Sequence, residues 1–236
     1  MYFVFDIETI PDFDLIQKSL ETEIDDEDTL LEMASEKLAQ NKSGFLPPMY
    51  HQILSWVGFW IEHDGTPKSE HKWTGTNEQE GINELIDTLS RYKDFRFIHH
   101  NGRGFDLPLI LYRAMKFELQ LPVRFYHYDI RYRYSKDNVD LVDEFSNYGA
   151  SSWPKLKQLG LLVDIPFKQT GEGNLVLEMF RNNQLDEIER YCLEDVIATY
   201  LIWLQLRYTI GELQKTHFQS LKKRALTKLQ ELQKMD

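Results

Sequence analysis

The sequence predicts an α/β domain in which helices flank a mixed sheet, and three observations lead to this fold class. Short runs of β-branched and aromatic residues alternate with longer segments whose apolar residues recur at helical spacing. The predicted order is three strands, a helix, a strand, a helix and then mainly helices. No internal repeat or low-complexity linker interrupts this order, and 42% of the 236 residues are hydrophobic, which suffices for a packed core. We therefore expect residues 1–236 to form a single domain.

Four strands are predicted from β-branched and aromatic runs. Residues 2–7 suit a first strand that is buried on both faces. Residues 53–62 and 70–75 flank a turn, which predicts an antiparallel hairpin. The run FRFIHH, residues 95–100, predicts a short fourth strand, whereas residues 123–145 are ambiguous between strand and irregular structure.

Helices are predicted where apolar residues recur every three or four positions. The predicted helices that follow the hairpin span residues 77–93, 105–117, 151–162 and 185–213, and a basic helix spans about 212–236. In the second of these, Asp106 suits the N-cap and Pro108 the first turn.

Residues 12–44 are predicted to form an acidic helical insertion after the first strand. Within it, residues 21–32 carry seven acidic side chains and no basic one, which indicates a solvated helix face. This run contributes much of the formal net charge of −11. Such a charge argues against a protein that coats nucleic acid through a basic surface, but not against an enzyme that grips an end through metal ions.

The single cysteine, Cys192, permits no disulfide within the chain and no cysteine-based zinc site, which favours a reducing compartment. Asp6 interrupts the first apolar run, so the beginning of the chain does not resemble a signal peptide. No apolar stretch is long enough to cross a bilayer. We therefore expect a cytoplasmic protein without a membrane partner.

Carboxylates follow two predicted strands and lie on one predicted helix. Asp6 and Glu8 are two residues apart on a strand, so both point to one side near its C-terminal end, where α/β sheets place ligand sites. Asp106 follows a strand and a glycine-containing loop, while Tyr191 and Asp195 are four apart on one helix face. Taken singly, each has an ordinary structural explanation. Asp6 and Glu8 suit solvated carboxylates at a strand end, Asp106 suits a helix cap, and Asp195 suits a carboxylate at the edge of an apolar helix face.

Together these residues resemble the three motifs of the DEDD exonuclease superfamily, in its tyrosine-containing subclass. The motifs are Asp6-Ile7-Glu8, the N-x3-F-D pattern of residues 101–106, and the Y-x3-D pattern of residues 191–195. The chain is further similar to the predicted exonucleases related to the proofreading domain of family B DNA polymerases. That resemblance covers nearly the whole chain, and residues 12–44 are the least familiar part.

Two departures from the family pattern are visible. In the glycine-containing stretch KQTGEGN, residues 168–174, Glu172 stands where the family often has aspartate, and we attach no catalytic meaning to it. A related subclass has histidine five positions before the last aspartate, where this chain has Arg190. The chain therefore resembles the subclass that uses tyrosine.

The resemblance implies a ribonuclease H-like fold and a site that binds two Mg²⁺ or Mn²⁺ ions. It implies that Asp6 bridges the ions, that Glu8 and Asp195 complete the site of the first ion, and that Asp106 helps to hold the second. Carboxylate oxygens are the ligands that such ions prefer. By the same resemblance, Tyr191 orients or deprotonates the attacking water.

The resemblance also implies that a terminal nucleotide contacts Thr9, Ile10, Asn101 and Phe105, although these residues equally suit ordinary turn and core positions. Residues 124–136 interleave arginines with aromatic side chains, which would stack on and clamp a single strand. A half-buried strand with arginines on its wet face fits the same pattern.

The predicted function is a 3′–5′ exonuclease that releases nucleoside 5′-monophosphates from the 3′ ends of single-stranded or frayed DNA. One alternative is an exoribonuclease that acts on short RNA. Another is a nucleic-acid-binding module that kept the fold and lost the chemistry, which the survival of all five motif residues disfavours. The length leaves no room for a polymerase domain, and no protein partner is indicated.

Overall fold

The computed structural model of the protein describes residues 1–166 and 175–234, and its centre is a five-stranded sheet of order β3-β2-β1-β4-β5. β2 pairs antiparallel with β1 and β3, whereas β1, β4 and β5 run parallel. The mixed sheet confirms the predicted fold class. The strands are β1 (Tyr2–Pro11), β2 (His51–Ile61), β3 (Pro67–Thr74), β4 (Arg96–His99) and β5 (Asn138–Asp140).

Helices flank the sheet on both faces. None of those in the described residues is long and apolar enough to cross a membrane. They are α1 (Phe13–Leu20), α2 (Glu27–Lys37), α3 (Glu78–Ser90), α4 (Asp106–Lys116), α5 (Tyr128–Arg131), α6 (Leu141–Ser146), α7 (Leu156–Leu162), α8 (Leu175–Arg181), α9 (Leu185–Thr209) and α10 (Lys215–Leu232).

The first strand is buried on both faces, as predicted. Val4 packs with α9 and α10 on one side of the sheet, while Phe3 and Phe5 pack with α3 and α4 on the other. At Gly58 of β2 a Cβ atom would lie 2.4 Å from the Phe3 ring, so only glycine lets the two strands pair there. β1 is therefore the central strand, held on both faces and along both edges.

The sequence left β5 undecided, within the ambiguous residues 123–145, and did not predict α8. β5 has three residues, too few for a two-residue period to be visible, and it is held by backbone pairing with β4. α8 follows the KQTGEGN stretch, which lies outside the described residues. In the ambiguous segment, a 3₁₀ turn (Val123–Tyr126) and α5 precede β5, so a half-buried strand over residues 124–136 is wrong.

The predicted insertion forms α1 and α2, which pack on each other through Ile16, Leu30 and Ala34. The acidic run is exposed, as expected, but it is not only a solvated face. Arg181 of α8 donates hydrogen bonds to Glu27 and Asp28 in the first turn of α2. The insertion is thereby tied to the segment that leads into α9.

A buried ion network holds α4 against the insertion and α3. Arg113 donates from Nη1 to Asp12 at 2.5 Å and from Nε to Glu78 at 2.7 Å. Asp12 is also the N-cap of α1, and Glu78 accepts from the backbone N–H of Ile53. A buried charge that loses its partner costs about 3–5 kcal/mol, so this network fixes the position of α4 firmly.

β3 lies at an open edge of the sheet and carries paired charges. Lys68 contacts Glu62 at 3.4 Å, and Lys72 contacts Glu189 of α9 at 2.5 Å. Glu70 accepts from Lys228 of α10. The edge strand therefore exposes ion pairs along its length.

Candidate functional site

Asp6 and Glu8 lie side by side on β1. Their carboxylate oxygens and the sulfur of Cys192 all lie within 4.8 Å of one another, while Ile7 between them points into the opposite core. Asp6 is half-buried and Glu8 is buried. The strand alternation predicted from the sequence thus brings two acidic groups onto one face of the central strand.

Asp106 lies in the same part of the fold, because β1 and β4 run parallel. Val4 pairs with Ile98, so the residues that follow Ile98 reach the edge of the sheet where Asp6 lies. The prediction of Asp106 as an N-cap is wrong: it is the first residue of α4, and Phe105 occupies the cap position without a side-chain bond. The Asp106 carboxylate is buried, yet it does not cap the helix.

The loop before Asp106 is held by side chains of β4 and β5. Asp140 accepts from the backbone N–H groups of Asn101 at 2.9 Å and Arg103 at 3.1 Å. His99 Nδ1 accepts from Gly102 N–H at 3.1 Å, and a Cβ at Gly102 would lie 2.6 Å from the His99 ring. His99 and Asp140 therefore position the loop, and the sequence placed neither of them in this role.

Tyr191 and Asp195 come from α9, one turn apart on the same face. Cys192, between them in sequence, donates to the backbone carbonyl of Asp6 at 3.3 Å. This contact brings α9 against β1. Three separate elements therefore meet at one place: β1, the start of α4 and the first half of α9.

The four carboxylates disfavour one another's ionisation. Burial is the largest cause that raises the pKa of Asp6 well above its ordinary value, followed by the charges of Glu8, Asp106 and Asp195. Burial, then Asp195 and Asp106, likewise raises the pKa of Glu8. Burial raises the pKa of Asp106 to about 6, and burial with the charge of Glu194 raises the pKa of Asp195 to about 7. Such a cluster is stabilised by a cation.

The two other titratable groups of the site stay neutral in the metal-free protein. Burial, followed by the charge of Asp195, raises the pKa of the Tyr191 phenol above its usual range. Burial and the Asp6 charge raise the pKa of the Cys192 thiol, which is enclosed in the core. The Cys192 thiol donates to the Asp6 carbonyl, and the other donors of the cluster are carboxylate oxygens, which fit a hard divalent cation.

Comparison with known proteins assigns the family. The profile of a family described as "Predicted 3'-5' exonuclease related to the exonuclease domain of PolB" matches residues 43–236, most of the chain. The chain belongs to this family of PolB-related exonucleases. The predicted similarity to exonucleases related to the proofreading domain of family B DNA polymerases is thereby confirmed.

The fold of this chain also resembles that of a solved polymerase. The family B DNA polymerase from the hyperthermophilic archaeon Pyrobaculum calidifontis superposes with a TM-score of 0.57 at 15% identity over 88% of this chain. The chain spans 24% of that polymerase's length. A search of curated proteins finds no match.

The matched region of the chain contains Asp106, Tyr191 and Asp195 but begins after Asp6 and Glu8. The first acidic pair is therefore brought to the matched region by the fold. The electrostatic effect of Asp106 and Asp195 on Asp6 is the observation that joins them.

An aromatic wall, formed by Phe45, His51 and Phe105, borders the site. Ring centroids lie 5.2 Å apart for Phe45 and His51, 5.5 Å for Phe45 and Phe105, and 5.1 Å for His51 and Phe105. Thr9 Oγ1 is hydrogen-bonded to His51 Nδ1 at 3.0 Å. Phe45 is 54% exposed, so the wall presents a ring face to solvent beside the end of β1.

The four residues predicted to contact substrate are placed differently from one another. Phe105 is part of the aromatic wall, Thr9 is hydrogen-bonded to His51 of the wall, and Asn101 begins the loop before Asp106. The Ile10 side chain is 1% exposed and packs in a core with Leu54, which leaves only its backbone for a ligand. Phe45 and His51 were missed, since they lie in or next to a proline-containing segment with no periodic pattern.

Proposed function

We propose that the protein is a metal-dependent 3′–5′ exonuclease that hydrolyses the last phosphodiester bond of single-stranded or frayed DNA and releases nucleoside 5′-monophosphates. The observation that carries the proposal is the meeting of Asp6, Glu8, Asp106 and Asp195 from three elements, with each pKa raised. Carboxylates that raise one another's pKa in a buried cluster are a mark of functional sites. Membership of the PolB-related exonuclease family supports the reaction class.

Asp6 would contact both ions, Glu8 and Asp195 the first, and Asp106 the second. A bound pair of Mg²⁺ or Mn²⁺ ions supplies stabilisation of the negative charge on the attacking and leaving oxygens. Four carboxylates from elements that are packed into the core offer such ions a fixed set of oxygen ligands. Four carboxylates favour these hard ions over zinc, which prefers histidine and cysteine ligands.

Tyr191 would orient the attacking water rather than remove its proton. Burial and the neighbouring carboxylates keep the phenol protonated at neutral pH, so it is able to donate a hydrogen bond but is a poor base. Its position one turn before Asp195 places it next to the first proposed ion site.

The terminal nucleotide would lie between the carboxylates and the aromatic wall. Thr9 and Asn101 would offer polar groups to this nucleotide, and Ile10 would offer its backbone. The exposed face of Phe45 would stack on the terminal base, because every base offers a flat face to an aromatic ring.

We expect Phe45→Ala to raise KM for a single-stranded oligonucleotide about 5- to 100-fold while kcat changes little, since one stacking contact is lost and no carboxylate moves. Steady-state kinetics on a 3′-labelled oligonucleotide measure both constants. Met49→Ala is a matched control, because Met49 is also exposed in the segment before β2 but is not part of the aromatic wall. An unchanged KM in Phe45→Ala would remove Phe45 from the pocket.

Digestion of oligonucleotides labelled at either end tests the function. DNA and RNA strands of one sequence are incubated with Mg²⁺, Mn²⁺ or EDTA, and the products are separated by length and by terminal phosphate. We expect stepwise shortening from the 3′ end, nucleoside 5′-monophosphates as products, faster cleavage of DNA and no cleavage in EDTA. Faster cleavage of RNA would show that the substrate is RNA and not DNA. The lack of any cleavage would contradict the exonuclease proposal and favour a nucleic-acid-binding module.

A further inference from the structure

Beside the candidate site lies a row of four tyrosines that we call the tyrosine ridge, of which Tyr148 is half-buried and the others are exposed: Tyr128, Tyr132, Tyr134 and Tyr148. The first three are 68%, 45% and 59% exposed. Successive ring centroids along the ridge lie 5.5, 5.7 and 4.7 Å apart. Large aromatic side chains exposed side by side are uncommon on a surface that contacts only water, and they mark an interaction site.

The segment that carries most of the ridge holds exposed cations in an acidic protein. Residues 123–136 contain one acidic residue and four arginines or lysines, of which Arg124 and Arg133 pair with Asp137 and Asp143, whereas the whole chain has a formal net charge of −11. Arg131 lies over the Tyr126 ring at 4.2 Å. Within the part of the chain that the structure describes, neither Arg131 nor Lys136 forms an ion pair. Both charges are exposed and available to an anionic partner.

The ridge is joined to the loop that precedes Asp106. Arg133 donates to Asp143 at 3.0 Å and to the backbone carbonyl of Tyr148 at 3.2 Å. Arg103, three residues before Asp106, donates to Asp143 at 2.9 Å and to the carbonyl of Arg133 at 3.3 Å. A continuous set of hydrogen bonds therefore runs from the candidate site to the middle of the ridge.

We propose that the tyrosine ridge binds the single strand that enters the site, through stacking of its bases on Tyr132, Tyr134 and Tyr128. Arg131 and Lys136 contact the phosphates of that strand. This inference rests on the proposed function, because the ridge would bind the same strand whose 3′ end lies in the candidate site. A row of rings flanked by cations is the combination that binds single strands without sequence preference.

A protein partner is the other class of occupant for an exposed aromatic row. The local charge and the hydrogen-bonded link to the Asp106 loop favour a polyanion that extends from the site. The chemistry of the occupant is therefore a single-stranded nucleic acid, several nucleotides upstream of the 3′ end.

The test uses the full-length protein and the double variant Tyr132→Ala/Tyr134→Ala. Fluorescence anisotropy in EDTA measures binding of labelled dT20 and dT3 without cleavage. We expect the Kd for dT20 to rise about tenfold or more in the double variant, because two stacking contacts are lost. The Kd for dT3 should change little, and Tyr132→Phe/Tyr134→Phe should bind dT20 as the native protein does.

A second readout separates the ridge from the reaction. Hydrolysis of the p-nitrophenyl ester of thymidine 5′-monophosphate needs only the candidate site, so the double variant should keep the native rate. Tyr112→Ala is the matched control for both assays, since Tyr112 is an exposed tyrosine on α4 outside the ridge. Circular dichroism and thermal melting show that each variant is folded.

The outcomes distinguish the two proposals. Native binding of dT20 by the folded double variant overturns the ridge proposal while ester hydrolysis keeps the exonuclease proposal intact. If the native protein hydrolyses neither the ester nor any oligonucleotide, the exonuclease proposal fails, and the dT20 binding in EDTA still decides the ridge. If the double alanine and double phenylalanine variants bind dT20 equally, and only the alanine variant fails to bind a protein partner, the ridge is a protein-binding surface and the proposal is wrong.

Discussion

Asp6→Asn is expected to lower the rate of 3′-end hydrolysis by about a thousandfold or more. Asparagine keeps the size of the side chain but removes the charge that would face both ions, and metal stabilisation of a phosphoryl transition state is worth several kcal/mol. Digestion of a 3′-labelled oligonucleotide in Mg²⁺ measures the rate. Asp14→Asn is the matched control, because Asp14 is an exposed aspartate in the first turn of α1. Near-native activity of Asp6→Asn would overturn the proposed ligand set.

The same substitution should stabilise the metal-free protein, and the gain should depend on pH. Because the folded-state pKa values of the carboxyls are raised, their contribution to folding is present below their ordinary values near 4 and is lost as pH rises through about 6 for Asp106 and about 7 for Asp195. Asparagine at position 6 removes a carboxyl group whose pKa is raised by burial and by the neighbouring charges, so the cost of holding that group in the folded protein, which grows as pH rises above its ordinary pKa, disappears. Urea unfolding in EDTA should show Asp6→Asn about 1–2 kcal/mol more stable than the native protein at pH 7.5, with a smaller difference at pH 5.

Metal binding supplies the complementary measurement. Mn²⁺ should raise the melting temperature of the native protein, because a ligand that binds only the folded state stabilises it. The increase should be small or absent in Asp6→Asn and unchanged in Asp14→Asn. Equal increases in all three proteins would place the ion elsewhere.

Tyr191→Phe should lower kcat about 10- to 100-fold while KM and the Mn²⁺-induced rise in melting temperature stay native. The phenol touches no proposed ion, and loss of an orienting contact misplaces the attacking water. Since the phenol keeps its proton, the dependence of kcat on pH should have the same shape in the variant. Tyr112→Phe provides the control on the exposed face of α4. Full activity, or loss of an alkaline rise in kcat, would contradict the orienting role.

The parts of the fold that could be predicted from the sequence are those with a regular period. Alternation along a strand placed Asp6 and Glu8 together, and helical spacing placed Tyr191 and Asp195 together. The sequence could not show that the Asp106 carboxylate belongs to the site, because an aspartate just before an apolar helical segment fits a helix cap equally well. Tertiary packing, not local preference, decided that position.

Residues held by long-range contacts gave no local signal. Arg113 is a basic residue in an amphipathic helix, and nothing in its neighbourhood in sequence indicates that Asp12 and Glu78 surround it in the core. Phe45 and His51 lie in or beside an irregular segment, so only the folded chain brings them to Phe105. The aromatic and cationic composition of residues 124–136 was visible in the sequence, but the choice between a strand and irregular structure stayed open there, and the short helix α5 was not predicted.

The charged edge strand β3 has a consequence for behaviour in concentrated solution. An exposed edge offers unpaired N–H and C=O groups to strands of other molecules, and lysines together with a proline are the usual obstacles to such pairing. β3 begins at Pro67 and displays Lys68 and Lys72, and β5 at the opposite edge has only three residues. Among the strands that the structure describes, neither edge is a good template for aggregation, and because Lys72 also holds Glu189 of α9, the residues that keep molecules apart help to anchor the helix of the site.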